Sequence, residues 1–115
     1  MIAVYVAGKL SSKNCLKFLR NINTLQEWTA RVRELGFAPF PVADDFHDIM
    51  RTTDVTMEDV KESSMVWLRR ADCVFVTPDW ESSPGTHAEI AEAEKCGIPV
   101  FYSIEAMCEW QHDGR

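Results

Sequence analysis

Apolar residues along this chain follow two rhythms that alternate from end to end. Residues 2–7, "IAVYVA", form a short β-branched and apolar run that stops at Gly8, as expected of a buried strand feeding a turn. The polar stretch "LSSKN" then offers helix-capping side chains. After it Leu16, Leu19, Ile22, Leu25, Trp28, Val32 and Leu35 recur every three or four positions up to Gly36. That spacing predicts one long amphipathic helix, its apolar stripe on a core, with a glycine stop. "FAPFPV", 37–42, reads as a second strand. Pro39 and Pro41 have no N–H to give a central strand, so it belongs at a sheet edge. From 43 to 55 the period is lost: Asp44, Asp45, Asp48 and Asp54 surround His47, and a loop is expected.

Thr56, with Asp59 three residues on, is a weak form of the capping box and predicts a helix to about Arg70. Its inner stripe is read as Val60, Ser64, Trp67 and Ala71. "ADCVFVTP" is a third strand, "SSPGTHAE" opens a helix, and "GIPVFYSI" is a fourth strand before a short helix around 105–110. Four β-α repeats call for parallel strands, right-handed crossovers and helices on both faces. The expected architecture is a three-layer α/β sandwich, one domain over residues 1–115, with a parallel sheet of four strands, or five, in the order 2-1-3-4. The order reverses between strands 1 and 3, so a ligand crevice is expected beyond their carboxyl ends. Gly8 and the turn from Thr77 to Gly85 would line it.

Composition narrows the setting. The chain has 115 residues, 46% hydrophobic and 26% charged, as in ordinary globular domains, with no apolar run near the roughly 20 residues of a membrane span. The apolar start "MIAVYVAG" has no basic region before it and reads as a strand rather than a signal peptide. A cytoplasmic protein with no membrane partner is the expectation. The formal charge of −6 argues against a nucleic-acid polymer as partner, yet leaves room for a small anion at a local site. Cys15, Cys73, Cys96 and Cys108 show no zinc-type spacing and are expected to be buried or semi-buried free thiols. The group Asp44, Asp45 and His47 reads more readily as a solvated acidic loop than as a cation site. No metal or cofactor is expected.

The richest stretch is "VTPDWESSPGTHAEIAEAEKCG", residues 76–97. Ser83, Pro84 and Gly85 read as N-cap, first and second helical positions. The hydroxyl satisfies a backbone donor, proline needs none, and glycine lets a ligand come close. Free N–H groups at such an end suit an anion or a sugar hydroxyl, although capping alone explains the same residues. Glu89, about two turns inside, shares a face with Ala93 and Cys96, while Glu92 and Glu94 can point to solvent. A carboxylate on a small apolar face is costly to ionise without partners, which makes Glu89 a candidate acid, base or nucleophile. The alternative is a partly exposed glutamate steadied by the helix N-terminus. Tyr5 is either a core aromatic or a hydroxyl donor to the pocket. Trp80 either packs or stacks on a planar base, and His87 reads as a rim residue.

Taken together, "VYVAG" in the first strand, "RRADCVFVTPDWESSPGTHAE" and the later "GIPVF" resemble the nucleoside 2-deoxyribosyltransferase superfamily. Within it the chain is similar to the small, phage-type (DUF4406-like) proteins of unassigned function, whose turn reads roughly "LPGWxxSxGAxxE". The resemblance covers nearly the whole chain. It implies a flavodoxin-like (Rossmann-like) fold and cleavage or transfer at the N-glycosidic bond of a nucleoside or nucleotide. It implies Glu89 as nucleophile and Tyr5 in contact with it or with the sugar. Gly8, Asp79, Trp80, Ser82, Ser83 and Gly85 would bind substrate, and no cofactor would be needed. Ser83 stands where relatives that hydrolyse 5′-monophosphates bind phosphate and where transferases acting on free nucleosides carry Asp. Ser64 takes the place of an Asp that assists the sugar or leaving base, with Asp59, Glu62 and Asp79 nearby but off that position. Lys9 and His87 depart from the usual Pro and small residue. Relatives pair so that subunits complete each other's sites, which implies a homodimer or larger.

Overall fold

A computed structural model describes residues 1–49, 51–52 and 54–114. In chain order it holds β1 (Ala3–Ala7), α1 (Cys15–Glu34), β2 (Ala38–Phe40), α2 (Val42–Ile49), α3 (Met57–Arg70), β3 (Cys73–Val76), a 3₁₀ turn (Trp80–Ser82), α4 (Pro84–Lys95), β4 (Val100–Phe101) and α5 (Ile104–Gly114). The sheet among the described residues has four strands, all parallel, in the order β2-β1-β3-β4. Its register pairs Val4 with Pro39 and Cys73, and Phe75 with Phe101. Both prolines of the second strand segment therefore lie at the edge, where a missing donor breaks no ladder.

Strand side chains alternate between faces, and both faces are covered. Val4, Val6, Cys73 and Phe75 pack on Leu25, Val32 and Met107 from α1 and α5. Tyr5, Ala7, Val74 and Val76 pack on Leu68 from α3 and Ile90 and Ala93 from α4. Tyr5 thus points to the α3–α4 side, fully buried. α1 ends as its glycine requires: Gly36 takes φ +93°, its N–H donates to Arg33, and the Phe37 N–H donates to Val32, closing a Schellman turn.

Four expectations change. The stretch 43–55 is not all loop, because Val42, Ala43 and Phe46 make an inward face for α2 and Asp44 and Asp45 sit favourably in its first turn; residues 50 and 53 lie outside the described residues. Leu16 and Leu19 on α1 and Leu35 at its C-cap are exposed, the buried residues Leu25, Thr29 and Val32 lying in the second half of this 20-residue helix. On α3 the fully buried residue is Leu68. Trp67 stays half exposed and stacks on Phe40, so the stripe is turned by one position. Cys15 and Cys96 are exposed, at the ends of their helices. The α3 capping box is complete, with Thr56 Oγ1 accepting from the Asp59 N–H at 3.1 Å and Asp59 accepting from the Thr56 N–H at 3.0 Å.

Candidate active site

At the carboxyl ends of β1 and β3 the structure opens a cavity of about 330 Å³, within the range of small-molecule sites. The loop after β1, helices α2 and α3, and the start of α4 form its walls. The close approach of β1 and β3 at this end depends on Gly8. A Cβ there would fall 2.2 Å from Thr77 Oγ1 and 2.7 Å from Leu25 Cδ2.

The α4 wall follows from its first residues. Ser83 caps the helix, its Oγ accepting from the Thr86 N–H at 3.2 Å and from the Thr86 hydroxyl at 2.9 Å, with Pro84 at the first helical position. Ser82, Ser83, Pro84 and Gly85 line the cavity, and nothing occupies the space over Gly85 that a side chain would take. One helical turn further in, on the same face, Glu89 reaches the cavity floor, where Tyr5 Oη donates a hydrogen bond to its Oε2.

Tyr5 is fully buried and Glu89 partly so, and burial dominates the electrostatics of the pair. Desolvation pushes the Glu89 carboxyl up to about 7, and the hydrogen bond from Tyr5 offsets only part of this. The Tyr5 phenol is raised well above its ordinary value, first by burial and then by the Glu89 charge, so it stays a donor. Ser64 adjoins the same phenol from α3 and acts in the opposite sense. Behind Tyr5, the Phe40 ring stacks at 5.6 Å between centroids, with Trp67 at 5.6 Å on its far face, which fixes the phenol's direction.

Seven of the nine residues singled out from the sequence, Tyr5, Gly8, Ser64, Ser82, Ser83, Gly85 and Glu89, converge here. Asp79 and Trp80 are not brought to the cavity. Asp79 is exposed and takes a left-handed φ of +64° that turns the chain out of β3, a conformation Asp tolerates better than most residues. Trp80 packs against Tyr102 and His87, at 5.4 and 5.0 Å between centroids, and the His87 ring meets the Glu81 carbonyl at 2.8 Å. Asp59 and Glu62 do not line the cavity either.

Sequence reasoning missed three contributors. Asp45 and Phe46 line the cavity from α2, and Lys61 from α3; with Lys9 it supplies the positive charge at the walls. The signal for α2 was present in "VADDFHDI", an acidic first turn with apolar residues one and four apart. Asp44 points elsewhere, accepting from Gln26 Nε2 at 2.9 Å, and His47 is exposed. No group of three His, Cys, Asp or Glu among the described residues is placed to hold a metal ion, and no helix among them is long and apolar enough to cross a membrane.

Comparison with known proteins agrees with this architecture. No curated protein matches the chain. Among solved structures it is similar to a 2-deoxyribosyltransferase from the psychrotolerant bacterium Bacillus psychrosaccharolyticus, described as a biocatalyst for nucleoside synthesis. The TM-score is 0.64 at 17% identity, over 85% of this chain and 69% of that one. The fold is therefore that of a nucleoside deoxyribosyltransferase. Residues 2–102 match the model of a domain of unknown function, DUF4406, and the chain belongs to that family.

Proposed function

We propose that the protein cleaves, or transfers the sugar at, the N-glycosidic bond of a (deoxy)nucleoside 5′-monophosphate, with Glu89 as nucleophile. The observation that carries this reading is the Tyr5 phenol donating to the Glu89 carboxylate on the floor of a nucleotide-sized cavity. Glu89 attacks the anomeric carbon, the base departs, and water or a second base resolves the glycosyl ester with release of Glu89. Tyr5 orients one carboxylate oxygen and leaves the other for the sugar. Gly85 and Glu89 are four residues apart, about 6 Å along the helix axis, which suits a phosphate at the capped end and the anomeric carbon beside the carboxylate. A carboxylate at position 83 would repel that phosphate. The Ser83 hydroxyl, the free N–H groups and the flanking Lys9 and Lys61 favour it.

In this reading the chain is one domain, 1–115, working in the cytoplasm as a homodimer or larger on a free nucleotide or nucleoside rather than a nucleic-acid polymer. Incubation with the set of nucleoside monophosphates, following free base by chromatography, tests it. Base release abolished in Glu89→Gln supports the proposal, and no release from any nucleotide rejects it. The presence of Ser64 beside Tyr5 favours one second reading, a nucleotide-binding or sensing module with the same pocket. Its signature is calorimetric binding of a nucleotide with no base released.

A further inference from the structure

The cavity holds a second carboxyl group, and the mechanism above leaves it idle. Of the residues lining it, only Glu89 and Asp45 are acidic. α3 packs on both α2 and α4, so Asp45 and Glu89 enter from separate walls. The wall that carries Asp45 is largely apolar, built from Val42 and Phe46 on α2 and Met57, Val60 and Met65 on α3, as suits the faces of a heterocyclic base. Asp45 and Tyr5 line the same cavity, which places the Asp45 carboxyl within range of a molecule bound there. No ion pair or hydrogen bond to that carboxyl is made among the described residues. N-glycosidic cleavage asks for two carboxyl groups in different states, one ionised to attack and one protonated to assist departure.

Resting on the proposed function, we infer that Asp45 is the acid that protonates the leaving base, which is held against the α2–α3 wall while its sugar lies over Glu89. The bond from the anomeric carbon to the base nitrogen breaks as Glu89 Oε bonds to that carbon. The electron pair stays on the base, and the Asp45 proton goes to a ring nitrogen. Asp45 is then a carboxylate and takes a proton from the incoming water, or from the incoming base in transfer, as the glycosyl ester opens. Burial raises the Asp45 carboxyl above its ordinary value, and the neighbouring Asp48 adds to this, but deeper burial raises Glu89 further, so the reactive pair, Glu89 ionised and Asp45 protonated, is a minor form of the free site. Ser64 need not be an acid in this arrangement, since the proton comes from α2.

The experiment compares Asp45→Asn with wild type on two substrates. One is the nucleoside monophosphate that wild type cleaves best. The other is 2-deoxyribose 5-phosphate bearing a 4-nitrophenyl group, which leaves as an anion without a proton. The expected result is a loss of kcat/KM of about 10²- to 10⁴-fold on the nucleotide, with less than about a tenfold change on the nitrophenyl substrate. Retained nitrophenyl cleavage also shows that the variant is folded, and Asp45→Glu recovers part of the nucleotide rate. Equal losses on both substrates without recovery in Asp45→Glu, or no loss on either, overturn the inference and leave Glu89 chemistry standing. A wild-type protein that cleaves neither substrate removes the proposed function and this inference with it.

Discussion

Glu89→Gln separates the electrostatics of the site from any assumption about substrate. Gln keeps the size of Glu and its oxygen can still accept from Tyr5 Oη, so the variant removes mainly the ionisation. Glu89 goes from an ordinary value of 4.5 to about 7 in the folded protein. A raised carboxyl means that the folded state binds its proton more tightly than the unfolded state. The favourable contribution of the protonated group is fully present below pH 4.5 and is lost as pH rises through about 7, where burying the anion has become a cost. A separation of about 2.5 pH units at 1.36 kcal/mol each is roughly 3 kcal/mol. Wild type minus Glu89→Gln should therefore change by roughly 3 kcal/mol in favour of the variant between pH 4 and pH 8, about 10 °C in relative Tm. Urea unfolding of both proteins at half-unit pH steps measures this, and any fixed cost of the buried amide drops out of the slope. A stability difference independent of pH, or one that shifts toward wild type as pH rises, would refute the desolvated carboxyl.

The same ionisation sets the rate on the nitrophenyl substrate, whose leaving group needs no proton: kcat/KM there should rise with pH through about 7, falling about tenfold per pH unit on the acid side, because only the carboxylate attacks. A flat profile from pH 5 to 8 on that substrate would speak against Glu89 as nucleophile. Gly8→Ala should cost about 1–3 kcal/mol, since its Cβ meets the buried Thr77 side chain at 2.2 Å and Leu25 at 2.7 Å; unchanged thermal unfolding would count against the tight β1–β3 corner. Ser83→Ala should cost about 1 kcal/mol through loss of the cap, whereas Ser83→Asp keeps a cap yet repels phosphate. Calorimetry should therefore show Ser83→Asp losing its preference for nucleoside monophosphates over free nucleosides, and a preserved preference would move the phosphate elsewhere.

Legibility in the sequence tracked how local each determinant was. The strands at residues 2–7 and 73–76, the Pro39 and Pro41 edge, the Thr56 and Ser83 caps and the Gly36 stop are each set by a few neighbouring residues, and the strand order followed from them. Glu89 stood out because an acid beside Ala93 on a helix face breaks a local rule. Its pairing with Tyr5 came only through the family resemblance, because Tyr5 lies 84 residues away and local pattern does not join them. Trp80 misled for a related reason. Its place after β3 suits a stacking plate, but the left-handed Asp79 turns it toward Tyr102. Asp45 was hidden in a segment with four aspartates, where charge masked a two-turn helix that turns Val42, Ala43 and Phe46 inward. Leu16, Leu19 and Leu35 kept the helical period yet are exposed, so periodicity overstated the buried stripe.

The central claim, that Glu89 forms a bond to the sugar, is tested most directly by trapping it. A 2-deoxy-2-fluoro-arabinonucleoside 5′-monophosphate slows opening of the glycosyl ester more than its formation, and peptide mass mapping after acid quench locates the adduct. The account predicts one added fluorodeoxyribosyl phosphate per chain on the peptide carrying Glu89, absent from Glu89→Gln. Base release with no adduct, or an adduct on another residue, would contradict it.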